Sequence, residues 1–134
     1  MILLLIYAKL FNFLGWGQTA FKADFGSSVL LKLQVKVASN QECIDWSKKA
    51  FGLAAWELGT GQLCAGAGAG KDACKGDSGG PLTTDVGGRQ VLIGDVSNGN
   101  ACKGPYAVFG AIADYRQWID STMESNGGAT FCAA

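Results

Sequence analysis

The sequence predicts an all-β domain, and three observations carry that prediction. Between Val29 and Val37 the residues alternate, with Leu31, Leu33, Val35 and Val37 on one face and Lys32, Gln34 and Lys36 on the other. A period of two is the signature of a strand with one solvated face. Gly87-Gly88 reads as a two-residue hairpin turn, because both positions of such a turn need a left-handed backbone. Twenty glycines in 134 residues indicate many tight turns, as a β-rich domain with loops requires.

The length fits one domain. Hydrophobic residues make up 49% and charged residues 16%, enough apolar surface for a core and too little charge for a disordered chain. Eleven acidic and eleven basic residues cancel. No basic stripe emerges, which argues against nucleic acid as the partner.

Met1 to Ala8 is apolar, but no basic segment precedes it, Lys9 ends it, and no small-x-small cleavage site follows before Gly15. It is a poor secretion signal and too short to span a bilayer, so no membrane partner is expected. A strand is equally compatible with Leu10-Phe11-Asn12-Phe13-Leu14. Gln18 to Ser28 reads as a loop. Ser39 with Glu42 forms a capping box, so a short helix should start there, carry Cys43, Trp46 and Ala50, and end near Gly52. Leu53 to Leu58 reads as loop. Ala65-Gly66-Ala67-Gly68-Ala69-Gly70-Lys71 invites comparison with a phosphate-binding loop and fails it: the glycine spacing is short, and Asp72 stands where Ser or Thr would bind magnesium. It reads instead as a flexible loop. No cofactor and no metal ion are called for.

Arg89 to Ser97 reads as a strand in which Asp95 is unusual and should face solvent or a partner. Tyr106 to Ile112 is another strand. Asp114 with Gln117 suggests a cap. Ile112, Tyr115, Trp118, Ile119 and Met123 recur at helical spacing, predicting a C-terminal helix with its aromatic face on the barrel. Residues 125–134 read as a flexible tail.

The chemistry concentrates in Lys71-Asp72-Ala73-Cys74-Lys75-Gly76-Asp77-Ser78-Gly79-Gly80-Pro81. Ser78 lies among small residues, so a carbonyl can approach its hydroxyl. Gly76 can take a backbone conformation that a Cβ forbids. The N–H groups of Gly76 and Ser78 could then form an oxyanion hole. Asp77 is a candidate strut that holds the loop from inside. Five cysteines are consistent with an oxidising compartment, and four of them allow three pairings.

Gly76-Asp77-Ser78-Gly79-Gly80-Pro81, with Gly15-Trp16-Gly17 upstream, strongly resembles the trypsin-like (chymotrypsin-fold, S1-type) serine proteases. The resemblance runs from about Gly15 to about Met123. It implies the second six-stranded antiparallel Greek-key barrel of that fold, with a short intermediate helix and a C-terminal helix. Residues 1–14 would be an atypical apolar segment and residues 15–124 a partial peptidase domain. Phe11 falls where many relatives carry a cysteine, and Thr84 where that cysteine's partner would be.

The resemblance also implies roles. Ser78 would be the nucleophile. Asp72 would floor the pocket for the substrate side chain and favour a peptide or protein substrate with Arg or Lys, since a desolvated charge demands a counter-charge. Ser97 and Gly99 would pair with the substrate backbone, with Asn98 where Trp is usual, and Ala107 would line the pocket. Asp77 would pair with an amine created by proteolytic activation. The implied disulfides are Cys43–Cys64 and Cys74–Cys102, each worth on the order of 3 kcal/mol, and Cys132 is left over as a tail thiol. The chain has no histidine, and a serine hydroxyl needs a base. The base and its aspartate would lie in a missing N-terminal barrel, so this chain by itself should be nearly inactive. The alternative is a non-catalytic, protease-like binding protein. The family implies secretion.

Overall fold

The computed structural model describes residues 9–52, 56–100 and 102–127. Part of the expected Leu53 to Leu58 loop and the tail with Cys132 lie outside the described residues. Six strands form a closed antiparallel barrel: β1 (Leu10–Gly15), β2 (Leu31–Ala38), β3 (Gln62–Gly66), β4 (Pro81–Val86), β5 (Arg89–Gly99) and β6 (Ala107–Ala111). Their order around the barrel is β1-β2-β3-β6-β5-β4. After β3 the chain crosses to the far side, so that β4 pairs with β1 and β6 returns to β3. That order is a Greek-key arrangement, as expected.

β1 uses the apolar run before Gly15. Its inward residues Phe11 and Phe13 are buried, and Phe13 meets Phe109 of β6 edge to face at 6.1 Å. Val35, Leu82, Val96, Ala65 and Ala107 complete the centre of the core. Burying a side chain such as Phe109 or Leu82 contributes roughly 2 kcal/mol. The β1–β4 register pairs Asn12 with Thr83 and Phe13 with Leu82. Its continuation sets Phe11 opposite Thr84, and both are buried. The two positions where relatives would carry paired cysteines therefore face each other.

The hairpin glycines adopt the conformation that the turn demands, with φ of 60° at Gly87 and 81° at Gly88. Helix α1 (Asn40–Phe51) begins with the complete capping box and stops at Gly52. The Cys43–Cys64 disulfide ties it to β3. Trp46 on α1 stacks with Phe51, Trp56 and Tyr106, forming a second apolar cluster outside the barrel.

Helix α2 (Ile112–Ser125) corrects two expectations. Asp114 does not cap it: the helix starts at Ala111 without a side-chain cap, and Asp114 instead accepts a hydrogen bond of 2.8 Å from the Gly61 N–H. Nor is the aromatic face fully covered by the barrel, because Tyr115 is 46% and Trp118 65% exposed. The helix leaves directly from the end of β6 and touches the barrel along β5 and at Gly61, where the Tyr115 ring lies against the backbone. The expected loop from Ala65 to Lys71 also begins as strand, since Ala65 and Gly66 close β3. Small residues there hid a strand whose last side chains are methyl-sized or absent. Gly66 has no room for more, because the Pro105 carbonyl occupies the place of a Cβ.

Asp95 faces away from the core. It pairs with Gly110 of β6, and a Cβ on Gly110 would lie 2.5 Å from the Asp95 carboxylate. A glycine across the strand thus makes space for an acid on the outer face.

Candidate active site

The loop between β3 and β4 carries the reactive residues, and three attachments shape it. The Cys74–Cys102 disulfide joins it to the segment after β5. Val96 of β5 accepts from the Gly79 N–H and donates to the Gly80 carbonyl, both at 2.9 Å. Gln18 donates its N–H to the Lys75 carbonyl at 2.9 Å. Ser78 lies exposed between these anchors. Its hydroxyl is therefore open to solvent while the backbone on both sides is fixed.

Gly76 has φ of +93°, which side chains rarely adopt, and a Cβ there would also press on Gly17 Cα at 3.3 Å. Among the described residues, neither the Gly76 N–H nor the Ser78 N–H donates a hydrogen bond. Two neighbouring donors left open beside an exposed hydroxyl can stabilise an oxyanion.

Asp77 points inward and is 7% exposed. Its Oδ1 accepts from the Gly17 N–H at 2.7 Å and its Oδ2 from the Cys74 N–H at 2.9 Å. Both oxygens are thus partnered by backbone. Gly15 and Gly17 are glycines for a spatial reason: at either, a Cβ would fall on the Asp77 carboxylate.

Asp72 differs. Its Oδ2 accepts from the Asn100 N–H at 3.0 Å, while Oδ1 is buried with no partner among the described residues. Burial pushes its pKa up to about 6, and the backbone N–H groups around it, at Asn100, Ala73 and Gly104, only partly offset this. Gly99 stands directly over it, with a Cβ there 3.1 Å from Oδ1. Asp72 and Asp77 line one cavity of about 280 Å³, together with Gly17 and Cys102.

The fold brings Ser78, Gly76, Asp77, Asp72 and Gly99 onto one loop and the strand end beside it. Ala107 is paired with Gly99 across β5 and β6, yet it is buried in the core and does not line that cavity. Ser97 is exposed on β5, next to the residue that holds Gly79 and Gly80. Sequence reasoning missed Gly17 as donor to Asp77 and Asn100 as donor to Asp72. They lie 60 and 28 residues away from their partners, and a backbone N–H carries no side-chain signature.

The family model for trypsin matches residues 10–119. The chain belongs to the trypsin family. Trypsin zeta of Drosophila melanogaster is 39% identical over 81% of the chain and 38% of the fly protein. Phenoloxidase-activating factor 1 of Holotrichia diomphalia is 36% identical over 81% of the chain and 29% of its own length. An inactive CLIP domain-containing serine protease A3 of Aedes aegypti is 35% identical over 81% of the chain and 24% of its own length. This trypsin-family chain thus spans well under half of these relatives.

Proposed function

We propose that the chain carries the nucleophile and the primary specificity pocket of a serine endopeptidase that cleaves after Arg or Lys. The observation that carries this reading is the buried Asp72 oxygen without a donor. A guanidinium or ammonium group supplies both the missing hydrogen bond and the counter-charge. In the reaction, Ser78 Oγ adds to the carbonyl beside the bound cationic residue, and its proton passes to a histidine base. The Gly76 and Ser78 N–H groups take the oxyanion. The base then protonates the leaving amine, and water releases the acyl group from Ser78. This is the general course of catalysis by a serine-protease triad.

This chain contains no histidine, so the base comes from a histidine-bearing N-terminal barrel, and the chain alone hydrolyses peptides very poorly. Exposed Trp16, Phe25 and Val29 offer apolar surface for such a barrel. The two disulfides favour an oxidising, extracellular setting. The absence of histidine also favours a second reading, a protease-like binding protein that uses the Asp72 pocket without catalysis.

A fluorophosphonate probe separates the two. Under the endopeptidase reading, Ser78 becomes labelled when a trypsin-type N-terminal barrel is supplied, and Ser78→Ala abolishes the label. Under the binding reading, no label forms with the barrel present, while benzamidine still binds.

A further inference from the structure

Asparagine precedes glycine at two places in the chain, Asn98-Gly99 and Asn126-Gly127. Both asparagines are exposed, yet the fold holds them differently. At Asn126 the carboxamide nitrogen donates to the Thr122 carbonyl at 2.7 Å, and the Gly127 N–H turns back to the Glu124 carbonyl at 3.4 Å. The last turn of α2 thus engages the side chain and the following nitrogen separately.

At Asn98 the two groups meet. The Gly99 N–H donates to Asn98 Oδ1 at 2.8 Å, and among the described residues the carboxamide nitrogen has no partner. The side-chain carbonyl carbon is bonded to that oxygen, so the backbone nitrogen already lies beside an electrophilic centre. Such placement removes much of the entropic cost of ring closure. The register of β5 against β6 shifts between Val96 and Asn98, a bulge that loosens the ladder at this end. Gly99 has no Cβ to block the approach. Nothing larger fits there without strain, because a Cβ would press on Asp72 Oδ1 at 3.1 Å. The glycine that makes room for Asp72 therefore also leaves its own nitrogen open to the neighbouring side chain.

We propose that Asn98 is a self-modifying position, which converts without an enzyme to aspartate and isoaspartate. The Gly99 nitrogen gives up its proton and bonds to Asn98 Cγ. The Cγ–Nδ2 bond breaks, and Nδ2 leaves with a proton as ammonia. The resulting cyclic imide takes up one water. Opening at Cγ restores the ordinary backbone with an aspartate side chain. Opening at the Asn98 backbone carbonyl carbon leaves the chain running through Cγ, which is isoaspartate. Nothing is oxidised or reduced. Either product places a carboxylate one residue from Gly99, which stands over Asp72. Isoaspartate also lengthens the backbone of β5 by one atom beside the edge formed by Ser97 and Gly99.

The test is peptide mapping by mass spectrometry on the intact chain held in mildly alkaline buffer, with an isoaspartyl methyltransferase as the probe for isoaspartate. Its readout needs no catalysis by the chain, so it stands or falls separately from the endopeptidase reading. Asn98 should react at least about tenfold faster than Asn126 in the folded chain, and the two rates should converge in concentrated urea, where neither pair is held by the fold. Loss of ammonia from Asn98 should slow as the pH is lowered, because the attacking nitrogen must give up its proton. Asn98→Gln, an exposed change that would need a larger ring, should remove the methyltransferase signal at this site and leave the rate at Asn126 unchanged. Equal or faster reaction at Asn126 in the folded chain overturns the inference. So does an Asn98 that survives intact while the urea-unfolded chain reacts. Aspartate without isoaspartate at this position overturns it too, because water would then have attacked the carboxamide directly.

Discussion

Asp72 and Asp77 stand on the same loop, are both shielded from water, and do opposite things. Asp77 has a backbone N–H for each oxygen, from Gly17 and Cys74. Asp72 has one donor, Asn100, and one buried oxygen with none among the described residues. A carboxylate whose acceptors are all filled is a fastener, and removing it strands the donors. A carboxylate left half-filled costs stability until a cation arrives. The contrast separates what holds the loop from what the loop offers to a ligand.

The largest effect should come from Asp77. Asp77→Ala leaves two buried N–H groups without acceptors and should destabilise the chain by about 4 kcal/mol in urea unfolding. Unchanged stability would erase the distinction between the two acids. Asp72→Asn should cost little stability, yet weaken benzamidine binding by about a hundredfold, or ~2.7 kcal/mol. Calorimetry showing equal affinity for wild type and variant would remove the pocket reading.

The pH dependence sharpens the comparison. Because the folded pKa of Asp72 is raised to about 6, the folded chain holds this proton over a range where the unfolded chain has lost it. Its contribution to stability is therefore fullest below the ordinary aspartate range and declines as pH rises towards about 6. Benzamidine needs the ionised form, so its affinity should drop about tenfold for each pH unit below about 6. An affinity that stays flat from about pH 7.5 to about pH 5 would contradict this. The smallest expected effect lies in the barrel. Thr84 is buried with its hydroxyl unpartnered among the described residues, so Thr84→Val should raise stability by about 1 kcal/mol in thermal unfolding.

Much of the fold was legible because its signals are local. Alternation marked β2, the Ser39 and Glu42 pair marked the start of α1, and Gly87-Gly88 marked the β4–β5 turn. The failures had physical causes as well. The end of β3, at Ala65 and Gly66, is too small in its side chains to announce a strand. Ile112 to Met123 has a helical stripe, but periodicity does not say how much of it the barrel covers, and Trp118 stays 65% exposed. In the site, Ser78 and its glycines were readable as a motif, whereas the donors to the two acids were not.

The amino-acid order by itself determined where strands, turns and α1 form, and which loop carries the exposed hydroxyl, since these depend on residues a few positions apart. Only the tertiary structure decided which aspartate is satisfied, and it alone confined the pairing of β2 with β3 to Lys36–Ala38. Hydrogen-bond partners and strand edges are chosen through space, between segments that the chain keeps tens of residues apart.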